Sequence, residues 1–391
     1  MKEEQQQAKT VTEEEKAYIH WLVQTAGAGS RGFLRALDTL GTPREIYAMA
    51  ASGKLAGKLK ERFRRKAALL SESCGQFDVQ GEYAGFTERG IRLVSDSEAS
   101  YPKRLAGIPD RPYALYYAGA LPPEDRPAVA LIGARDCTEY GRYMARQFGA
   151  ALAGAGVQVI SGMARGIDGV GQESALRAGG YSMGVLGCGV DICYPRENGE
   201  LYEALLTGGG VCSEYPPGME PRALLFPPRN RIISGLSDAV MVIEAREKSG
   251  TLITVDMALE QGREVYALPG RATDPLSGGC NRLIRQGAGL VSSPEELLEE
   301  ILGPEEGRAA GAGGRGTAIQ TTLVFLEGPA GELLSVLDFN PLPVQEIQRK
   351  YLEKYGKAIG FSELYQALLE LCAQGHAGQA GGGYFMRILK Q

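Results

Sequence analysis

Short apolar runs alternate with helical segments along the central part of this chain, from residue 128 to about residue 302. The run at 239–243, AVMVI, is apolar at every position rather than at every second one. Such a strand is covered on both faces, as in a parallel sheet. The pattern predicts an α/β fold, a Rossmann-like, doubly wound, mostly parallel sheet with ligands at the carboxyl ends of its strands. We predict strands at 128–132, 157–161, 182–186, 210–214, 239–244, 264–268 and 289–292, and helices at 141–154, 169–178, 198–206, 229–236, 251–261 and 280–286.

The remaining sequence predicts two smaller domains around this central one. Residues 11–70 have helical periodicity, and residues 71–126 form a connector with short strands at 91–94 and 113–117. The Gly-x-Gly turn at 27–29 is typical of a helix-hairpin-helix that offers N–H groups to a phosphate, and equally of an ordinary tight connection between helices. After the Rossmann-like domain at 127–302 come a Gly/Ala-rich linker at 303–320 and, at 321–391, three helices and a hairpin in the order of a winged helix.

Composition excludes several classes of protein. No apolar run is long enough to cross a bilayer, and the first twenty residues carry no apolar signal core, so we expect a cytoplasmic protein. The seven cysteines form no CxxC pair, which indicates reduced thiols and no zinc site. The only histidines are His20 and His376, so no Ser-His-Asp or Cys-His catalytic arrangement fits within the central domain. We predict that His20 is a packing residue.

Two turns that combine glycine with arginine follow predicted strands. The segment 161–168, SGMARGID, lies between a strand and a helix. Gly162 and Gly166 let the backbone approach a ligand closely, Arg165 adds a fixed positive charge, and the N–H groups of the following helix favour an anion. The turn at 133–135, Gly-Ala-Arg, follows the preceding strand in the same way. Together the two turns predict a phosphate-lined pocket.

The choice of phosphate ligand depends on which motifs are present. Neither a G-x-G-x-x-G turn after the first strand nor a G-x-x-x-x-G-K-[ST] loop occurs, so a dinucleotide or nucleoside triphosphate lacks its usual cradle and we predict no cofactor. Basic and polar residues instead follow several successive strands, which fits a polymer better than one small anion. Tyr194 and Phe226 are candidate stacking surfaces for bases, although both also suit a protein core, and each lone arginine also suits a surface ion pair.

A separate basic segment lies at residues 54–66, KLAGKLKERFRRK, with seven basic residues and one acidic residue. It is either a solvated helix face or a weak contact surface for a phosphate backbone. The net charge of −5 argues against a uniformly basic coat but not against local basic pockets. The acidic balance of residues 304–391 makes a protein contact at least as good an interpretation of that region as duplex binding.

The motifs of residues 129–291 closely resemble the DNA processing protein A family, also called DprA or Smf. The matching segments include ALIGARDCTEYG (130–141), ISGMARGID (160–168), FPPRNRIISGLS (226–237) and ALEQGREVYALPG (258–270). The resemblance implies a dimeric protein of transformation and recombination that binds single-stranded DNA, helps to load the RecA recombinase and displaces single-strand-binding protein, without catalysis or cofactor.

Carried onto this sequence, the resemblance assigns the DNA-binding edge by residue. Gly133 and Arg135 hold a phosphate, and Asp168 caps the next loop at the N-terminus of its helix rather than touching the ligand. The whole predicted set is Gly133, Arg135, Ser161, Gly162, Arg165, Gly166, Asp168, Arg196, Arg222, Arg229, Asn230, Arg231, Ser249, Gly250, Thr251 and Asn281. The family commonly has a histidine where this chain has Gln172, which favours a structural role at that position.

Two other functions fit the same sequence. The sheet resembles that of nucleotide phosphoribohydrolases of the lysine-decarboxylase-like group, whose P-G-G-x-G-T-x-x-E loop has a counterpart at residues 248–254. That counterpart lacks the trailing glutamate with which such an enzyme would act on the glycosidic carbon. A scaffold role, with the terminal domains recruiting partners, is compatible with DNA binding.

Overall fold

A computed structural model describes residues 11–304, 329–339, 341–379 and 383–388. Five helices begin the described chain: α1 (Glu13–Ala26), α2 (Arg31–Asp38), α3 (Pro43–Ala51), α4 (Arg64–Ser73) and α5 (Val79–Thr87). Thr12 and Thr42 start α1 and α3 with capping boxes, since each hydroxyl accepts from the N–H of a glutamate three residues on, whose carboxylate accepts in return. These helices share one hydrophobic core with strands of the sheet, through residues such as Trp21, Leu93 and Tyr116.

The sheet has nine strands, in the order β1-β2-β6-β5-β4-β3-β7-β8-β9. Pairs among β3 to β9 are all parallel, whereas β1 and β2 add an antiparallel edge beside β6. The strand bounds are β1 Arg92–Ser95, β2 Ala114–Gly119, β3 Ala128–Ile132, β4 Gln158–Ser161, β5 Ser182–Val185, β6 Gly210–Ser213, β7 Ala239–Val242, β8 Glu264–Ala267 and β9 Gly289–Leu290. The predicted α/β class and mostly parallel sheet are confirmed.

Helices cover both faces of the sheet. A short α6 (Lys103–Ala106) precedes β2, and the later helices are α7 (Glu139–Gly154), α8 (Ile167–Arg177), α9 (Gly199–Gly208), α10 (Phe226–Gly235), α11 (Gly250–Glu260), α12 (Gly278–Arg285) and α13 (Pro294–Leu302). One core lies between α10, α11, α12 and the sheet, and another between α7, α8, α13 and the opposite face. This burial on both faces explains why β3 and β7 are apolar at every position.

The described C-terminal residues form a small unit with its own core. It contains α14 (Pro329–Leu334), α15 (Val344–Tyr355), α16 (Phe361–Ala373) and a three-stranded antiparallel sheet of β10 (Leu342–Pro343), β11 (Ala377–Gln379) and β12 (Tyr384–Arg387). Leu333, Ile347, Leu368 and Phe385 are fully buried in that core. Most of the predicted linker, from residue 305, lies outside the described residues, as do Gly381 and Gly382 of the predicted hairpin.

Candidate functional site

Two adjoining clefts lie at the carboxyl ends of the central strands. β3 has β4 on one side and β7 on the other, so the chain winds outward in both directions from this strand. Such a switch point leaves a crevice between the loops that follow the strands. The larger cleft, of about 480 Å³, lies over the loops after β4 and β5, and the smaller cleft, of about 350 Å³, over those after β3 and β7. Arg135, Ala164, Phe226 and Arg229 line both.

The larger cleft combines positive charge with aromatic surface. Four arginines line it, Arg135, Arg165, Arg196 and Arg229, against two acids, Glu197 and Glu220. The first three arginines are exposed. The rings of Tyr194 and Phe226 lie 5.4 Å apart at an interplanar angle of 36°, and Tyr194 is 44% exposed. Both candidate stacking residues therefore line the cleft, and Tyr194 keeps part of its side chain exposed there.

The smaller cleft brings the turn after β3 against the start of α11. Gly133, Arg135, Asn230, Arg246 and residues 249–251 are among its lining residues. The Thr251 hydroxyl donates to the carbonyl of Gly133 at 3.2 Å, which joins the two loops. The buried hydroxyl oxygen of Ser249, at the N-cap of α11, has no hydrogen-bond partner within the described residues. This is an arrangement that suits an anion, because a helix N-terminus and an arginine face the same space.

The loop after β4 is held from beneath by buried charges. The Asp168 carboxylate accepts from the N–H of Gly162 at 3.2 Å and from that of Gly133 at 3.4 Å. Arg229 donates from Nη1 to the carbonyls of Gly162, at 2.9 Å, and Val185. The Ser161 hydroxyl donates to the carbonyl of Leu131 at 2.6 Å. Ser161, Asp168 and Arg229 therefore fix the shape of the loop and do not reach outward as exposed ligand groups.

The N-cap of α8 differs from the prediction. Gly166, with φ +74° and ψ −133°, occupies the N-cap, and Asp168 lies inside the first turn. A Cβ on Gly166 would lie 2.3 Å from the carbonyl oxygens of both Ala134 and Arg135. Only glycine fits there, because it lacks that atom and adopts positive φ without strain. Asp168 holds the loop through its hydrogen bonds, as expected, but from a different position.

Burial shifts the pKa values of the charges beneath the loop. Desolvation raises the pKa of Asp168, and the nearby Arg229 guanidinium and the Gly162 and Gly133 N–H groups act in the opposite direction. Desolvation lowers the pKa of Arg229 to about 10, with Asp168 opposing the shift. Arg229 therefore keeps its charge at neutral pH, and it carries that charge at the junction of the two clefts.

Five of the predicted site residues line neither cleft: Ser161, Gly166, Arg222, Arg231 and Asn281. Arg231 is 2% exposed, and its guanidinium pairs with the Glu214 carboxylate at 2.7 Å and the Asp110 carboxylate at 3.1 Å. Asn281 exchanges two hydrogen bonds with the backbone of Gly270, at 3.1 and 2.9 Å. Arg222 is exposed and directly follows Pro221, a residue that lines the larger cleft. Arg231 is therefore held inside the protein by ion pairs to the buried Glu214 and the exposed Asp110, away from the binding edge on which the sequence analysis expects it.

Some charged residues of the clefts lie outside the predicted set. Arg246 lines the smaller cleft, and Glu197 and Glu220 bring negative charge to the larger one. Arg246 follows β7 in a polar segment, and a basic residue just after a predicted strand can be recognised from the sequence as a candidate for the site. The two glutamates give no such signal, because acidic residues in loops are common on any surface.

Gln172 and His20 are both buried in structural positions. The Gln172 amide oxygen accepts from the N–H of Met163 at 3.0 Å, and its nitrogen donates to the Ser182 hydroxyl and the Met183 carbonyl. It therefore ties the loop after β4 to β5, in line with a structural role. His20 packs against Phe77, Phe86 and Tyr116, with Nδ1 2.9 Å from the Tyr116 hydroxyl. Its predicted packing role agrees with these contacts.

Metal sites and membrane spans are both missing from the part of the chain that the structure describes. Among those residues, no group of three or more His, Cys, Asp or Glu side chains is placed to hold a metal ion. Likewise, none of the described helices has the length and apolar character needed to span a bilayer.

The fold and the two clefts define a Rossmann-like α/β protein with arginine-lined clefts at the ends of its parallel strands. Residues 92–302, just over half of the chain, match the family model of DNA recombination-mediator protein A. The chain belongs to this family.

Known relatives agree with this assignment. Protein Smf of Escherichia coli is 47% identical over 210 residues, which are 54% of this chain and 56% of that protein. DNA processing protein DprA of Bacillus subtilis is 38% identical over 239 residues, 60% of this chain and 80% of that protein. This chain thus aligns with little more than half the length of the Escherichia coli relative.

Two solved structures have the same fold. The X-ray structure of DNA processing protein A from Streptococcus pneumoniae superposes with a TM-score of 0.63 at 32% identity, covering 75% of this chain and 99% of that one. The DNA processing protein A of Helicobacter pylori, described for its unique single-stranded DNA binding mode, has a TM-score of 0.50 at 28% identity, covering 54% of this chain and 95% of that one. The resemblance seen in the sequence is confirmed.

Proposed function

We propose that this protein binds single-stranded DNA along the rim formed by the two clefts, and that it acts in DNA processing for transformation and recombination. The rim consists of the residues that line the clefts, together with Arg222 at its border. The binding is sequence-independent, because guanidinium groups and backbone N–H groups recognise phosphates and open aromatic faces stack on any base.

One observation carries this proposal: Arg135, Arg165 and Arg196 are exposed around one cleft beside the paired rings of Tyr194 and Phe226. None of the three arginines forms an ion pair with a described residue, whereas the buried Arg231 is paired twice. Exposed unpaired guanidinium groups next to an aromatic pair are what a flexible polyanion with bases requires. A single small anion would leave most of these charges unused.

The roles within the rim divide by burial. We propose that Arg135, Arg165, Arg196, Arg222, Asn230 and residues 249–251 contact the strand. The residues that shape the loops beneath it are Gly133, Ser161, Gly162, Gly166, Asp168 and Arg229. The hydrogen bonds of Asn281 to Gly270 support a role in shaping the loop before α12 instead of a DNA contact.

Further parts of the proposal concern the whole protein. We propose a cytoplasmic homodimer that loads the RecA recombinase and exchanges with single-strand-binding protein, without catalysing a reaction. Its parts would be a SAM-like helical domain at 11–70, a connector at 71–126, the Rossmann-like domain at 127–302, a linker at 303–320 and a winged helix at 321–391. The three helices and small antiparallel sheet of the described C-terminal residues support the last of these.

Oligothymidine binding tests the rim directly. The double variant Arg135→Ala/Arg165→Ala should lower the affinity for an oligothymidine of about 12 nucleotides by at least tenfold at fixed salt. The slope of log affinity against log salt should become shallower by about 0.7 for each phosphate that the variant no longer binds. The matched control, Arg177→Ala/Arg349→Ala, removes two exposed arginines that form ion pairs on helices outside the clefts and should leave binding unchanged.

Two results would contradict this function. Unchanged oligothymidine affinity in the Arg135→Ala/Arg165→Ala protein would remove the rim as the binding site. Release of free base from nucleoside monophosphates would favour the phosphoribohydrolase alternative, since it would require turnover in the same clefts.

A further inference from the structure

Seven cations are concentrated in residues 54–66, between α3 and the first turn of α4, and we call these residues the basic segment. Six of the seven side chains are exposed: Lys54, Lys58, Lys60, Arg62, Arg64 and Arg65. None of the seven forms an ion pair with any described residue, although Glu61 lies within the same segment. The segment is therefore a dense patch of uncompensated positive charge on a chain whose net charge is −5.

The other cations of the N-terminal helices behave differently. Lys16 pairs with Glu13 and Glu98, Arg31 with Asp110 and Glu214, Arg35 with Asp96, and Arg44 with Glu14. Thus the helices outside the basic segment neutralise their positive charges with acids close enough to form ion pairs. Among the described cations of the N-terminal helices, the lack of such partners is specific to residues 54–66, so it does not come from a general shortage of acidic residues nearby.

The basic segment is anchored to the core and so presents its charges on an ordered surface. Leu55, Ala67 and Leu70 are fully buried, and they hold both ends of the segment against the other helices. The Arg62 guanidinium lies 4.6 Å from the centre of the Phe63 ring, and the Lys66 ammonium 6.0 Å from that of Phe33. The two rings lie 5.5 Å apart. These contacts help to fix the positions of the two cations, because a cation is attracted to the face of an aromatic ring.

The N-terminal end of α4 adds to the electrostatic repulsion. Arg64, Arg65 and Lys66 occupy its first turn, which contains no acid. Positive side chains at this end of a helix are unfavourable, because the exposed N–H groups already carry partial positive charge. An extended polyanion lying across the segment would relieve this repulsion along its whole length.

We propose that the basic segment is a second contact surface for DNA, which holds the phosphate backbone outside the two clefts and extends the length of strand that one protein molecule covers. The inference rests on the proposed function for the identity of the polyanion, but it assigns a surface that the rim does not include. The contact is to phosphates alone and is therefore independent of base sequence.

A matched pair of triple variants tests the segment. Lys58→Gln/Lys60→Gln/Arg65→Gln removes three exposed charges that form no hydrogen bond or ion pair with a described residue, so the variant should unfold at the wild-type temperature. Lys103→Gln/Arg126→Gln/Arg285→Gln removes three exposed, unpaired charges outside the segment and the clefts. Both proteins are titrated with oligothymidines of about 12 and about 60 nucleotides and with a duplex of about 60 base pairs, over a range of salt concentrations.

The segment variant should bind the long oligothymidine at least tenfold more weakly than wild type, with a salt slope about two units shallower, from three contacts at about 0.7 each. Its affinity for the short oligomer, which the rim alone accommodates, should be unchanged. If the segment variant also binds the duplex more weakly, the basic segment contacts double-stranded DNA as well. If its affinity for the duplex is unchanged, the segment contacts single strands only.

Three outcomes would overturn the inference. In the first, the segment variant binds the long oligothymidine with wild-type affinity. In the second, the control triple variant loses as much affinity as the segment variant. In the third, the segment variant loses affinity only for the short oligothymidine. If the segment variant kept full DNA binding but failed to bind vesicles of anionic phospholipid that the wild type binds, the partner would be a membrane surface and the assignment to DNA would be wrong.

Failure of the rim and failure of the segment give different results. The affinity of the Arg135→Ala/Arg165→Ala variant for the short oligothymidine tests the rim. The affinity of the segment variant for the long oligothymidine tests the basic segment. Adding the segment substitutions to the rim variant should abolish the residual binding of the long oligomer. If the rim proposal alone were wrong, the rim substitutions would change nothing while the segment substitutions still weakened the long complex.

Discussion

The Asp168 carboxylate and the Arg229 guanidinium hydrogen-bond to the two backbone polar groups of Gly162, its N–H and its carbonyl. Asp168 accepts from the N–H of Gly162 at 3.2 Å, and Arg229 donates to its carbonyl at 2.9 Å. A Cβ on Gly162 would lie within 3.0 Å of both side chains. The loop after β4 therefore owes its shape to a buried pair of opposite charges that together satisfy the backbone, and the exposed Arg165 depends on that shape.

Replacing Asp168 by asparagine should destabilise the protein by about 3 kcal/mol, because it leaves the buried Arg229 charge without its counter-charge and weakens two backbone contacts. Chemical denaturation at pH 7 measures this difference. Asp256→Asn, at an exposed position of α11, should change the free energy of unfolding by less than about 0.5 kcal/mol. Equal effects of the two substitutions would show that Asp168 does not hold the loop.

Gly166→Ala should cost at least about 2 kcal/mol of stability, because alanine is strained at φ +74° and its Cβ would meet two carbonyl oxygens at 2.3 Å. The displaced turns carry Arg135 and Arg165, so the affinity for oligothymidine should fall as well. Thermal unfolding and a binding titration check both effects. Gly154→Ala serves as the control, since a Cβ there has no atom within 4 Å; a variant at Gly166 as stable as that control would refute the steric argument.

Arg231→Met should destabilise the protein by about 3–5 kcal/mol, because Glu214, itself 3% exposed, would lose its nearest partner. The folded variant should bind oligothymidine with wild-type affinity, unlike a rim variant. Adding Glu214→Gln should recover part of the stability, since it removes the unpaired buried charge. If a fully folded Arg231→Met protein bound oligothymidine more weakly than the wild type, Arg231 would contribute to DNA binding after all.

Stability should depend on pH through His20. Burial lowers the pKa of His20 to about 4, below the value of 6.5 in the unfolded chain. The folded state then binds fewer protons, so the stabilising contribution is complete above pH 6.5 and is lost as pH falls towards 4. Between pH 7 and pH 5 the loss should be about 2 kcal/mol.

The variant His20→Phe isolates this contribution. It keeps the aromatic packing against Phe77 and Phe86 but cannot take up a proton. Its stability should be lower at pH 7, because the buried Tyr116 hydroxyl loses its partner, yet it should fall by about 2 kcal/mol less than the wild type between pH 7 and pH 5. Equal pH dependence in the two proteins would exclude His20 as the source.

The central sheet can be predicted because local sequence specifies it. The seven predicted strands from 128 to 292 and the six helices between them are all present, with ends that shift by a few residues. The strands at 92–95 and 114–119 are expected in a connector, but they pair with the sheet itself as an antiparallel edge beside β6. That pairing joins residues about a hundred positions apart and leaves no local pattern to detect.

For the site, the sequence alone determined which loops place glycine and arginine at strand ends, because glycine and arginine after an apolar run specify a tight cationic turn there. Only the tertiary structure decided which arginines remain available. Arg229 and Arg231 lie two residues apart on α10, yet one supports the floor of both clefts and the other is neutralised by Glu214 and Asp110. The physical reason is that burial and ion pairing depend on distant chain segments, whereas backbone conformation depends largely on neighbours along the sequence.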